Sequence, residues 1–566
     1  MGDLTPKLTP EVDSILRHCL ETDPEDRFQS ARDLAFHLSV AAGTLASGVR
    51  RAAGPAGLRP AWRRAIVPVG LAVGMALALA VAYMVGMRAG GVPVPVYQQL
   101  TFRRGSVPSA RFAPDGHTIV YGGAWDAKPI QLWSTRLESS ESRPLDLPDA
   151  DILAISPLGE MAISIGRRYF LGVGARGTLA RLPLDSSAPR EILTEVEDAD
   201  WSPDGSSLAV VHVADGKYRL EFPIGTVLYE TTGWINHLRV SPDGTRVAFI
   251  DHPAYGDDRG SICVLERTGG GKQMLSDGWA SVTGLAWSPA RDEIWFTAAE
   301  VGARAALHAV DLSGRRRLIM QSANRLEIQD IDRNGRVLLV ESRFRLRINA
   351  IDLARGGQER DLSWLDGSVV TDLSADGNMM VIDEQSAGGG TPLYAVYIRK
   401  TDGSPAIRIG EGSKEADRGI RLWVQDVSEG PPMSLSGEEL GMTFSGQPIS
   451  PDGRQMVAID QGGRLWLHAV SGDEEPRPID GLEAGDMPIR WTTDGQSFFV
   501  RNGDLPTVVY RFHLSDRRKE RVAALSPSDL AGVRRLATVR TTPDGRFFLY
   551  TYSQTLGDLF LLTNLR

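Results

Sequence analysis

Residues 240–250 read VSPDGTRVAFI and residues 201–211 read WSPDGSSLAVV. Each is an apolar lead, a Ser-Pro-Asp-Gly turn and a strand of alternating or continuous apolar character. Asp-Gly tolerates the positive φ angles of tight hairpins and proline pre-sets the chain for the turn, so the phrase encodes two antiparallel strands. It recurs as FAPDGHTIVYGG from Phe112, LSADGNMMVID from Leu373, ISPDGRQMVAID from Ile449, WTTDGQSFFV from Trp491 and TTPDGRFFLY from Thr541. Looser copies are ISPLGEMAISI from Ile155, WSPARDEIWFT from Trp287 and IDRNGRVLLV from Ile331. With Arg291 standing in for one glycine, the turn positions are 116, 159, 205, 244, 291, 335, 377, 453, 495 and 545. Every gap but one lies between 39 and 50 residues. A third strand such as IQLWSTRL or LHAVDL follows each copy, then a short fourth such as SRPLDL. A four-stranded unit at this period is the signature of a β-propeller blade. The expectation is an all-β propeller region over residues 88–566, of about ten four-stranded repeats in one ring or two.

Two details bear on ring closure. The last copy supplies FFLYTYS and DLFLLTN and then stops, while Val94 to Phe102 precedes the first copy and can serve as the missing strand. Pairing the two would remove an exposed edge. The gap of 76 residues between Gly377 and Gly453 passes through RLWVQDV and PPMSLS with no Asp-Gly hairpin before them. Half a blade is missing there, so Glu411 to Gly419 is expected to be irregular and Ile420 to Ser436 an orphan strand pair.

Composition narrows the function. The 62 Lys+Arg against 71 Asp+Glu leave a formal charge of -9, which lacks the basic field of a nucleic-acid binder. Cys19 and Cys263 are the only cysteines and form no C-x-x-C, which excludes disulfide scaffolds and zinc fingers. Residues 41–64 form a basic linker carrying Arg50, Arg51, Arg59, Arg63 and Arg64. Ala65 to Met87 then runs without a charge, long enough to cross a bilayer as a helix. The arginines before it place the N-terminus in the cytoplasm and the propeller outside. Gly70, Gly74 and Ala78 recur every four residues and suggest a dimerising face.

Residues 1–40 carry two short helical patterns, Val12, Ile15, Leu16, Cys19 and Leu20, then Ala31, Leu34, Ala35 and Leu38. LTPEVDSILRHCLETDPEDRFQSARDLAFHL, Leu8 to Leu38, resembles the last two helices of a protein kinase C-lobe, that of a bacterial receptor-type Ser/Thr kinase. In that family the arginine matching Arg27 pairs with the glutamate of an A-P-E motif, which is missing here, as are the V-A-I-K, H-R-D and D-F-G elements of phosphoryl transfer. The propeller repeats resemble the Tol-type, WD-repeat-like repeats of bacterial envelope proteins. The resemblance implies a non-enzymatic, single-pass membrane protein whose external propeller senses a protein or small-molecule ligand. The alternative is a freestanding Tol-type interaction scaffold.

No motif assigns a catalytic, cofactor or metal residue. Asp330, Asp332, Asn334, Gly335 and Glu341 match EF-hand spacing, but Gly335 is in phase with the hairpins and the following strand would carry Glu341 away from the turn. Gly172, Gly174 and Gly177 match G-x-G-x-x-G without a following Lys-bearing strand or βαβ unit. His308, His468 and His513 occupy equivalent third strands and read as part of the packing. There is no G-x-S-x-G elbow. The ligand-binding residues stay unknown from sequence.

Overall fold

The computed structural model describes residues 95–565, apart from 171–173, 185–187, 303, 386–393, 413–422, 425–432, 435–447, 461–462, 472–473, 484 and 504. The repeated turns form as their chemistry dictates. In the copy at Trp201, Ser202 Oγ donates to Asp204 Oδ1 at 2.5 Å, the same oxygen accepts the Ser206 N–H at 3.0 Å, and Gly205 adopts φ +70°. Asp243, Asp376, Asp452, Asp494 and Asp544 are held the same way. Where Arg291 replaces glycine, the hairpin closes without a left-handed residue at that position, through Glu293 N–H to Arg291 O.

Six blades form a first ring. Residues 106–148, 234–279 and 281–320 are separate four-stranded antiparallel sheets. The second and third blades share one strand, Arg190–Trp201, whose first part pairs with Gly174–Pro183 and second part with Leu208–Ala214. The sixth blade is assembled from distant pieces: Arg325–Ile331, the first part of Val337–Asp352, the last part of Phe547–Thr563, and Val96–Gln99. The expected pairing of the two chain ends is therefore present, with Val96 opposite Thr563 and Gln99 opposite Phe560. Six apolar clusters lie between successive blades and complete the circle; that between the sixth and first holds Leu338, Val340, Leu559 and Leu561 against Val107, Phe112 and Tyr121.

A second set of blades lies between the two long strands in sequence. It comprises residues 368–412, three strands over 455–478, residues 487–525, and a blade made of Val533–Thr541, the first part of Phe547–Thr563, the second part of Val337–Asp352, and Glu359–Asp361. The copies at Ile331 and Thr541 thus exchange third strands between the rings. Val337–Asp352 and Phe547–Thr563 pair continuously from Val337 opposite Leu562 to Asp352 opposite Phe547. ESRFRLR (341–347) contains no turn-forming pair, and the Gly557-Asp558 pair in SQTLGD (553–558) is not used as a turn, Gly557 lacking a positive φ, so both strands run straight on into the other ring. The expectation that each copy builds its own four-stranded blade is corrected at these two copies for that reason.

A larger correction concerns fold class. A transmembrane helix and a helical kinase tail were expected beside the propeller, but the described chain is all β. Its helical element is the 3₁₀ turn Leu353–Arg355, capped by Asp352, and among the described residues no helix is long and apolar enough to cross a membrane. All the helical signals came from residues 1–87, whereas from Val96 onward hairpin turns and two-residue alternation leave no run for a helix. The stretch 65–87 with Gly70, Gly74 and Ala78, and residues 1–40, lie outside the described residues. In the long gap, Glu411 and Gly412 end the regular strand Ile407–Gly412 rather than being irregular, and 413–419 lies outside the described residues. Trp423–Val424 pairs with Met433–Ser434 and, among the described residues, with no other strand.

Candidate functional site

Each inner strand of the first ring loses register with its neighbour at the same place: between Ser106 and Ser109, Ile152 and Ala154, Asn236 and Arg239, Thr283 and Leu285, and Ile328 and Asp330, and opposite Val211 and His212 in the shared strand. A bulge adds an unpaired residue and re-aims the side chains around it. Two of these residues take left-handed backbone, His237 at φ +49° and Gly284 at φ +68°. The second ring bulges likewise at Val370/Asp372, Pro488/Arg490 and Leu536/Thr538. The bulged ends surround a cavity of about 940 Å³ that is lined by the first ring and also by Leu505, Arg534, Arg535 and Ala537 of the second.

Charged side chains five residues before four of the six turns, Arg111, Asp200, Arg239 and Asp330, stitch the first ring together, while Ala154 and Ala286 hold that place in the other two. Arg111 Nε donates to Leu153 O at 2.7 Å and its Nη1 to Gln329 O at 2.8 Å, joining the first blade to the second and sixth. Asp330 Oδ2 accepts the Phe112 N–H at 2.9 Å, and Asp200 Oδ2 accepts the Val240 N–H at 2.8 Å. Asp198 accepts the Leu238 N–H and lies 3.6 Å from Arg239. Burial drives the Arg111 guanidinium down to about 10, with Arg239 repelling it and Asp330, Asp198 and Asp200 opposing that fall. Burial also raises Asp200 to about 6.

Closer to the cavity, Glu197 is 3% exposed. Its Oε1 accepts the Ala175 N–H at 2.9 Å, while its Oε2 has no protein partner. Desolvation pushes this carboxyl up to about 8, so at neutral pH it is largely protonated and can donate. Arg167 spans from Glu197 O at 3.0 Å to Asp151 Oδ2 at 3.6 Å, and Ser109 Oγ donates to Asp151. Trp234, 1% exposed, stacks on His252 with centroids 4.2 Å apart, and its Nε1 has no protein partner. His252 is kept neutral by burial and its Nδ1 faces Arg259 O at 2.8 Å, so Nδ1 carries the proton and Nε2 accepts. Asn236, 3.0 Å from Nε2, must then present its NH₂ to the imidazole and its carbonyl oxygen toward the cavity. The wall thus holds buried polar atoms without protein partners at Glu197 and Trp234 beside Asn236.

The sequence motifs fall elsewhere. Asp332 anchors a hairpin, accepting the Asn334 and Arg336 N–H groups, and its carboxylate lies 2.6 Å from Arg336 Nη2. Glu341 is carried away from that turn within the strand Val337–Asp352 and accepts from Ser322 and Asn324, each at 2.7 Å. Gly174 and Gly177 lie in the strand Gly174–Pro183, and Gly172 lies outside the described residues. His308, His468 and His513 occupy third strands as expected. No sequence motif pointed to Glu197, Trp234 or Asn236. Their signal is positional: Glu197 and Asn236 each stand at the bulge, eight residues before the glycine of a repeated turn (205 - 197 and 244 - 236), and Trp234 stands two residues before Asn236.

Among known proteins, the family described as the LpqB lipoprotein β-propeller domain matches residues 209–306. No curated protein matches. Among solved structures, TolB from Acinetobacter baumannii is 17% identical over 40% of this chain and 56% of its own, with a TM-score of 0.33. An oligogalacturonate lyase from Vibrio parahaemolyticus is 14% identical over 53% of this chain and 92% of its own, with a TM-score of 0.31. The tricorn protease is 13% identical over 75% of this chain and 41% of its own, with a TM-score of 0.24. The chain is a β-propeller protein.

Proposed function

We propose that this chain is a binding protein of the cell envelope whose propellers take a segment of a partner protein into the cavity between them. The observation that carries the reading is the wall itself, where Glu197 Oε2 and Trp234 Nε1 are buried without protein partners in a cavity of about 940 Å³. Buried polar groups are ordinarily satisfied, and a peptide backbone supplies both acceptors and donors. The volume also suits a small polar ligand, which is the second reading. An envelope location is supported by the lipoprotein description of the matching family. Derivation from a receptor-type Ser/Thr kinase is supported by the motif at Leu8 to Leu38.

The test is site-specific photocrosslinking in cells. A photoreactive residue replacing Lys128, exposed at the cavity wall, should form an adduct with a partner protein, and Glu197→Arg in the same chain should abolish it. The control is Leu318, 52% exposed on an outer strand. Adducts from Leu318 but none from Lys128 would overturn the reading.

A further inference from the structure

The second ring repeats the inner-strand design of the first with a different charge balance. Around the first axis Arg111 and Arg239 are matched by Asp198, Asp200 and Asp330. Around the second, the positions five residues before the turns carry Arg490 and Arg540 with Asp372, and Arg501 adds a further cation from the neighbouring strand Ser497–Arg501. Arg501 is 3% exposed; its Nη1 and Nη2 donate to Leu536 O at 3.3 Å and Ala537 O at 3.0 Å, and its Nε has no protein partner. Arg540 Nε donates to Thr371 O at 2.7 Å and its Nη1 to Val539 O at 2.9 Å. These carbonyl contacts clip adjacent inner strands together; Asp372 partly offsets the charge of Arg540, whereas Arg501 faces the charges of Arg535 and Arg540. Arg535 is exposed on the cavity wall. Among the described residues, no ion pair joins Arg501 or Arg535 to a carboxylate.

Cations taken out of water are ordinarily paired, because desolvation costs more than carbonyl dipoles return. Here burial and repulsion from Arg535 and Arg540 drive Arg501 down to about 10. We propose that Arg535 at the cavity wall, backed by the buried Arg501 and Arg540, forms an oxyanion site at the inner strands of the second ring, taking a carboxylate or phosphate group that enters from the cavity. A planar guanidinium fork suits either group. The site deepens the partner-binding reading, on which it rests for access alone, by assigning an anionic group to whatever occupies this end of the cavity.

Calorimetric titration of the full chain with inorganic phosphate and, separately, with succinate at matched chloride ionic strength tests the site without the partner. The expected result is saturable binding of at least one anion, the tighter naming the group. Arg535→Gln should weaken it about tenfold or more, the scale of one lost charge-assisted contact. Arg535 donates to no group among the described residues, so the variant keeps the fold. Arg546→Gln, an exposed arginine at a turn of the same ring, should bind as the wild type does. Binding of neither anion, equal binding by Arg535→Gln and wild type, or an equal loss in Arg546→Gln would each overturn the proposal. Loss of the Lys128 adduct alone would leave this result untouched.

Discussion

Leu549 and Leu559 lie ten residues apart on the one strand Phe547–Thr563, both 0% exposed, yet they belong to different cores. Leu559 packs with Val107, Phe112, Tyr121 and Val340 in the first ring, and its carbonyl accepts the Leu100 N–H at 2.8 Å. Leu549 packs with Ile348, Val370, Met380 and Ile382 in the second. Truncation to alanine removes three carbons, about 2.4 kcal/mol of transfer free energy at about 0.8 kcal/mol each. The hole left in a close-packed core raises the cost to about 3 to 5 kcal/mol. Hydrogen exchange read by mass spectrometry should locate the damage, since local opening follows local stability. Leu559→Ala is expected to speed exchange in 96–124 and 325–340, and Leu549→Ala in 348–352 and 368–384. The reasoning fails if either substitution speeds both sets equally, or if neither costs more than about 1 kcal/mol in urea unfolding.

Three further outcomes follow from single sites. Glu197 has a folded-state value near 8, above the unfolded value of about 4.3, so its contribution to stability is full below about pH 4 and lost as pH rises to about 8. Urea midpoints of the wild type should therefore fall relative to Glu197→Gln across that window, and parallel curves would refute the assignment. Gly532→Ala should destabilise well beyond Gly335→Ala: both have positive φ, but a Cβ at 532 would clash with the carbonyl oxygen of Thr555 whereas one at 335 meets nothing within 4 Å. Backbone strain alone costs about 1–2 kcal/mol, and equal melting shifts would show that the close approach is absent. Cys263, 1% exposed with its thiol pushed up to about 12 by burial, should resist thiol reagents in the folded protein and label only at the rate of unfolding; rapid labelling would contradict its placement.

The hairpins were legible because their cause is local. A Ser or Thr, an Asp and a Gly within four residues supply the cap, the acceptor and the left-handed backbone, and the alternation after them names the buried face, as at Ser202, Asp204 and Gly205. Closure by Val96–Gln99 was legible for a related reason, since an unpaired edge at one chain end and a spare strand at the other have one obvious remedy. The exchange of strands at Val337–Asp352 and Phe547–Thr563 was not, because neither strand announces it by a motif, and which strand a straight segment pairs with is settled by partners 195 to 225 residues away (547 - 352 to 562 - 337). The cavity was hidden for the same reason. Glu197, Trp234 and Asn236 look like ordinary strand residues until the bulges turn them inward, and Glu197 titrates near 8 because the tertiary structure strips its water away, which no run of neighbouring residues encodes. Local turn chemistry determined the strands and their repeat; the long-range pairing that only the folded chain supplies decided how many rings they make and what those rings enclose.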